Sequence, residues 1–276
     1  MSRRAKLTVL AATGSLLGLS AGARHLLQRQ AQTARRLIGK PLGENAPMAD
    51  RTWKKNYGDR IELLMLGDSI AAGLGAERPK ETLGARLARG VAKRSHRSVR
   101  LTTGARVGSE SSMLSAQLDG LPQAYRPDVA VIVVGGNDVT HRVPVSESVQ
   151  HLSLVIERLR RLGAVVVVGT CPDLGALRPV PQPLRTLGSR ASRQLAQAQR
   201  EAAEAGGAHV VSLAHAVGPF FITNPEEMFS LDRFHPSALG YKRTAKAMLP
   251  TILAALEGEN RGTPRASPAV QGSRLH

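Results

Sequence analysis

Five apolar runs of strand length recur along the middle of the chain, and helical patterns fill the gaps between them. This alternation restricts the fold more than any other feature of the sequence. The runs are Ile61–Leu66, Val99–Thr103, Val129–Val134, Val165–Gly169 and His209–Leu213. LGARLARGVAKR follows the first, SSMLSAQLDGL the second and SESVQHLSLVIERLRRLG the third. SRASRQLAQAQREAAEAGG precedes the fifth run, and SALGYKRTAKAMLPTILAAL comes after it. In the third pattern Val149, Leu152, Val155, Ile156 and Leu159 share one helical face, and Gly163 ends it as a C-terminal glycine does. Strands alternating with helices predict an open parallel sheet covered on both faces. Right-handed crossovers leave few topologies. The expected fold is α/β, a flavodoxin-like three-layer α/β/α sandwich with a five-stranded parallel sheet in the order 2-1-3-4-5. The core must be aliphatic, because 42% of residues are hydrophobic but only 3% are aromatic. Parallel strands buried on both faces are filled that way.

The ends of the chain differ from this middle. Leu7–Ala23 carries no charge, follows a basic start and closes on Ala21-Gly22-Ala23. Residues 1–23 therefore read as a signal peptide or a membrane anchor. Five basic residues lie just beyond, between Arg24 and Lys40, and they count against export. The expected location is secreted or anchored in a bacterial envelope, with membrane association through residues 7–23; the alternative is an N-terminal helix of a cytoplasmic protein. Residues 24–60 read as a basic helical and extended linker, 61–256 as the folded domain and 257–276 as a disordered tail rich in Gly, Pro, Ser and Arg.

The formal charge is +17, which permits attraction to polyanions. No zinc knuckle, RNA-binding aromatic motif or basic recognition helix accompanies it. Aromatics are too few for base-stacking platforms, so no nucleic-acid partner is expected. The single cysteine, Cys171, excludes an intrachain disulfide.

In an open parallel sheet the site lies at the carboxyl ends of the strands. The first strand runs into GDSIAAGLGA, a glycine-bearing turn. A dinucleotide fingerprint fails there, since Arg78 stands where the third small residue belongs. No Gly-Lys-Ser/Thr of a phosphate loop is present. The G-x-S-x-G elbow fails at Ala71. What the turn offers is Ser69. A serine hydroxyl needs an imidazole to take its proton, and the imidazole needs a carboxylate to fix its tautomer. Asp232-Arg233-Phe234-His235 supplies both, and Pro236 holds His235 out of helical geometry. The oxyanion of an acyl-transfer intermediate needs several donors. The Ser69 N–H, a glycine N–H after the second strand and the Asn137 side chain are available.

These residues resemble the SGNH (GDSL-type) hydrolases over about Ile61–Leu256. GDSIAAGLG is similar to the family's first block, with Ser69 as nucleophile. GGND, Gly135–Asp138, is similar to the third, with Asn137 as oxyanion donor. DRFH is similar to the fifth, with Asp232 and His235 completing a triad. The second block departs from the pattern: Thr103 stands in TTGARVG where the family carries an Asn. The best register puts the oxyanion glycine at Gly108, with Gly104 the alternative. The resemblance implies a serine esterase or lipase acting on a small-molecule, lipid or carbohydrate ester or thioester through an acyl-enzyme. It implies no cofactor and no metal, and action as a monomer. Acyl transfer on the same site, or a non-catalytic envelope-associated binding module, are the alternatives.

Rival readings exist. Asp68, Asp138 and Asp173 all fall at strand ends, where carboxylates could gather a magnesium ion. Cys171 reads as a small buried hydrophobe rather than a nucleophile, and His141 stands close enough to GGND to line a pocket. Specificity is expected from the loops after strands 3 and 4, above all Asp173–Arg185. Arg178 and Arg185 there would favour an anionic substrate unless they are simply solvated.

Overall fold

The computed structural model describes residues 3–39, 41 and 43–262. In chain order its helices and strands are α1 (Arg3–Ile38), β1 (Thr52–Trp53), β2 (Gly58–Gly67), α2 (Ser69–Ala72), α3 (Leu83–Ser95), β3 (Arg97–Thr103), α4 (Leu114–Asp119), β4 (Val129–Val133), α5 (Gly136–His141), α6 (Val145–Arg161), β5 (Val165–Gly169), α7 (Leu184–Ala205), β6 (His209–Val211), α8 (Leu213–Ala216), α9 (Gly218–Thr223), α10 (Pro225–Met228) and α11 (Ala238–Gly262).

The sheet order is β1-β3-β2-β4-β5-β6. Its five parallel strands follow the expected 2-1-3-4-5 order, and Leu63 pairs with both Leu101 and Val129. The expectation of five strands is corrected by a sixth. Thr52–Trp53 pairs antiparallel with β3, opposite Arg100 and Val99. Two residues are too few to show a period, but Trp53 is buried and the Arg51 guanidinium lies 3.8 Å above its ring. The pair therefore covers an edge that would otherwise stay open.

Alternation along β2 divides the core. Ile61, Leu63 and Met65 point to one face, where α3 and α11 pack. Leu64 and Leu66 point to the other, with α4 and α6. Every residue of β4 and β5 is buried, because both faces of these central strands are covered. Strand β6 stops at Val211, and the Ser212 hydroxyl caps α8 by accepting the His215 N–H. Helix α11 continues to Gly262, into the segment expected to be a tail. The rest of that tail, 263–276, lies outside the described residues. At the other end, no helix among the described residues is long and apolar enough to cross a membrane. Helix α1 meets α7: the Gln30 side chain donates to the Gln182 carbonyl and accepts the Leu184 N–H at 3.1 Å.

Candidate active site

Strand β2 ends against β4 so closely that only glycine fits. A Cβ on Gly67 would lie 1.8 Å from the Val133 carbonyl oxygen, and φ is +131°. This exit turns the chain so that Asp68 caps α2, its Oδ1 accepting the Ile70 N–H at 2.9 Å. Ser69 opens the helix and is largely buried.

The second element arrives from the far end of the sequence. In the loop before α11, Asp232 Oδ1 accepts from the Ser230 hydroxyl at 2.8 Å and from the Phe234 and His235 N–H groups at 2.9 Å each. Ser230 N–H closes the loop onto the His235 carbonyl at 2.8 Å. Its other carboxylate oxygen, Oδ2, lies 2.6 Å from His235 Nδ1, and His235 Nε2 lies 2.9 Å from Ser69 Oγ. Burial alone would raise the Asp232 carboxyl. The bonds from the His235 ring and from the His235 and Phe234 amides outweigh it and hold the group at about 2. Gly75 fixes the docking: a Cβ there would meet the Pro236 carbonyl oxygen at 2.4 Å and the His235 Cβ at 2.9 Å. The Tyr241 hydroxyl ties α11 to the same turn by donating to the Leu74 carbonyl at 2.6 Å.

The third element is the loop from Gly104 to Met113. The Gly104 N–H is spent on the Met65 carbonyl at 2.9 Å, which extends β3 rather than facing a ligand. Gly108 stands in the left-handed region at φ +82° on an exposed stretch. Among the described residues neither its N–H nor that of Ser69 donates to a protein acceptor. Asn137 Nδ2 donates to the Ser109 carbonyl at 2.9 Å, linking the GGND turn to this loop. Asn137 and Ser69 line one cleft.

Several supporting residues escaped the sequence reading. Gln117 of α4 accepts the Gly67 N–H at 2.9 Å and donates to the Gly67 carbonyl at 2.8 Å and the Ser109 hydroxyl at 3.0 Å. Gln199 of α7 accepts the Cys171 N–H at 2.7 Å and donates to the Val134 carbonyl at 3.0 Å. A glutamine on the apolar face of a helix was the available signal, since a buried amide must find partners. Burial is also the largest influence on Asp68. It pushes this carboxyl up to about 6 against the Ile70 N–H and His235, with Asp138 repelling.

The rival readings meet different fates. Asp138 binds the Ser148 hydroxyl at 2.7 Å and Asp173 binds Arg193 at 2.7 Å. Among the described residues no group of three His, Cys, Asp or Glu side chains is placed to hold a metal ion. Cys171 is fully buried, and burial pushes its thiol well up. His141 turns to Glu110, 2.6 Å away, and is exposed.

Beside Ser69 opens a cleft with a largely apolar lining. Pro172, Leu174, Ala176 and Leu177 form one wall, and Leu213, Val217, Phe221 and Phe229 another. Three of the four phenylalanines in the chain line it. The expected Asp173–Arg185 loop supplies only its first residues to this cleft. Most of the remainder comes from α8, α9 and the loop before α11.

Residues 65–243 match the model of the GDSL-like lipase/acylhydrolase family. The chain belongs to that family. This hydrolase is 39% identical over 270 residues to a GDSL-like esterase of Mycobacterium tuberculosis, covering 93% of this chain and 85% of the relative. Its fold is similar to that of a lipase/acylhydrolase from Enterococcus faecalis, with a TM-score of 0.57, 19% identity, and 70% of this chain and 96% of that one covered. It is also similar to the lipase Lip_vut3 from a goat rumen metagenome, with a TM-score of 0.58, 20% identity, and 71% and 97% covered. The GDSL-like hydrolase is thus an esterase or acylhydrolase of the α/β class.

Proposed function

We propose that the hydrolase cleaves carboxylic esters through Ser69, His235 and Asp232 by way of an acyl-enzyme. The observation that carries this reading is the unbroken chain of contacts, 2.6 Å from Asp232 to His235 and 2.9 Å from His235 to Ser69. Ser69 Oγ attacks the acyl carbonyl while His235 Nε2 takes its proton. Asp232 holds Nδ1–H and stabilises the imidazolium that forms. The negative oxygen is held by the Ser69 N–H, the Gly108 N–H and Asn137. His235 then protonates the leaving alcohol, and a water activated by the same imidazole releases the acid. The aliphatic and aromatic cleft beside Ser69 suits the acyl chain.

All of the groups in this mechanism lie on one chain, so the proposed chemistry calls on no residue of a second subunit. The basic start and uncharged Leu7–Ala23 support an envelope location.

The test is Ser69→Ala. Hydrolysis of p-nitrophenyl acetate falls by at least about 10³-fold, and covalent labelling by a fluorophosphonate disappears. Undiminished turnover by the variant rejects the mechanism.

A further inference from the structure

Next to the acyl cleft lies a second concavity whose charge the catalytic reading does not use. It shares Asp173 with the cleft, and Ile222 on its rim adjoins Phe221 in the cleft wall. Its polar lining includes Arg185, Arg190 and Arg193 of α7. A fourth guanidinium reaches the rim, where Arg178 Nη2 donates to the Ile222 carbonyl at 3.1 Å.

The one carboxylate in this lining is already committed. Asp173 Oδ2 takes both Nε and Nη2 of Arg193, at 2.9 and 2.7 Å, and its Oδ1 takes the Gly175 N–H at 2.8 Å. Arg185 and Arg190 have no acidic partner among the described residues. Arg185 is half-buried and sits in the first turn of a 22-residue helix that has no acidic residue there. A cation at the positive end of a helix dipole is unfavourable unless an anion offsets it. The helix amides cannot themselves bind that anion. Leu184, Arg185 and Thr186 N–H groups are taken by Gln30, the Pro181 carbonyl and Gln182. The free donors are guanidiniums, whose planar fork suits phosphate and carboxylate oxygens.

We propose that Arg185 and Arg190 form an anionic subsite that selects esters carrying a phosphate or carboxylate joined to the apolar chain held in the cleft. The substrate class is then an anionic amphiphilic ester. This rests on the esterase reading above, since it assigns the neighbouring cleft to the substrate's apolar part.

The experiment measures competitive inhibition of p-nitrophenyl butyrate hydrolysis by octyl phosphate and by 1-octanol, both below micelle formation, on the full chain at low salt. The wild type binds octyl phosphate at least about tenfold more tightly than octanol. In Arg185→Gln/Arg190→Gln this ratio falls to about one, and in the double lysine variant it recovers in part. The ratio is taken within each protein, so changes in basal turnover cancel, and thermal unfolding checks that each variant is folded. A control, Lys93→Gln/Arg94→Gln, removes the same charge from the exposed end of α3.

Two further arms separate the sources of the anion. Inorganic phosphate competing with octyl phosphate at the arginines supports the subsite. Preference for anionic vesicles without preference for octyl phosphate overturns it in favour of surface attraction. An equal loss of the ratio in the α3 control, or a wild-type ratio near one, overturns it as well. If p-nitrophenyl butyrate is turned over without Ser69, the esterase mechanism fails instead, and the two failures are distinguishable.

Discussion

The buried carboxylate of Asp138 grips the backbone N–H of Ser111 with both oxygens, at 3.2 and 3.1 Å. It also accepts from the Ser148 hydroxyl at 2.7 Å. Asp138 directly follows Asn137, and Ser111 lies three residues after Gly108. One side chain therefore fixes the spacing between the two loops that carry Asn137 and Gly108, the proposed oxyanion donors. Asp138→Asn keeps the shape but turns one acceptor into a donor. The variant loses about 1–3 kcal/mol of stability, measured by urea unfolding. Its kcat falls about tenfold while KM changes little, because the donors matter most in the transition state. An unaltered kcat in a destabilised variant separates stability from donor placement and rejects the second role.

Asp232 makes a different prediction, because its carboxyl is held at about 2. The unfolded chain protonates this group near its ordinary value of 3.8, and the folded chain only lower. Its contribution is therefore complete above about pH 4 and is lost as pH falls toward 2; it amounts to about 2 kcal/mol. Asp232→Asn removes this acid-linked term. It also lowers kcat by about 10⁴, since an amide no longer enforces the reactive tautomer of His235. Urea unfolding between pH 2 and 5 and steady-state kinetics at neutral pH check the two effects separately.

The parallel order of β2–β6 was legible because each strand is a continuous apolar run between helical patterns. The contacts among Ser69, His235 and Asp232 were legible because a serine follows the first strand and an Asp-x-x-His precedes the last helix, supplying a hydroxyl, an imidazole and a carboxylate. Strand β1 was not: its two residues show no periodicity, and only the burial of Trp53 reveals its place. The cleft wall was missed for a related reason. Helices α8 and α9 span only four and six residues, too short for a helical stripe to emerge. Asp138 and Asp68 read as turn residues or metal ligands, because sequence does not show which carboxylate has a backbone amide to accept.

Asp68 shifts in the opposite direction to Asp232. Burial pushes its carboxyl up to about 6 from 3.8. Between pH 4 and 6 the folded protein keeps a proton that the unfolded chain has released. Stability attributable to Asp68 therefore declines as pH rises through this window, by about 3 kcal/mol in all, and is level above it. Asp68→Asn cannot ionise. The difference in unfolding free energy between variant and wild type should move in the variant's favour from pH 4 to pH 7. A difference that stays constant over that range rejects the shift.

The cleft wall supplies the last prediction. Ala176 is buried beside Leu177 and lines the space next to Ser69. Its methyl leaves room that a longer acyl chain would fill. Each methylene removed from water contributes about 0.8 kcal/mol, so losing contact with two of them lowers the relevant rate ratio about tenfold. Ala176→Phe should therefore reduce kcat/KM for p-nitrophenyl octanoate about tenfold relative to p-nitrophenyl acetate. Labelling of Ser69 by a small fluorophosphonate should persist, because the contacts among Ser69, His235 and Asp232 do not involve this wall. If both esters slow equally while labelling persists, the acyl chain lies outside the cleft, and the alcohol part of the ester takes its place there.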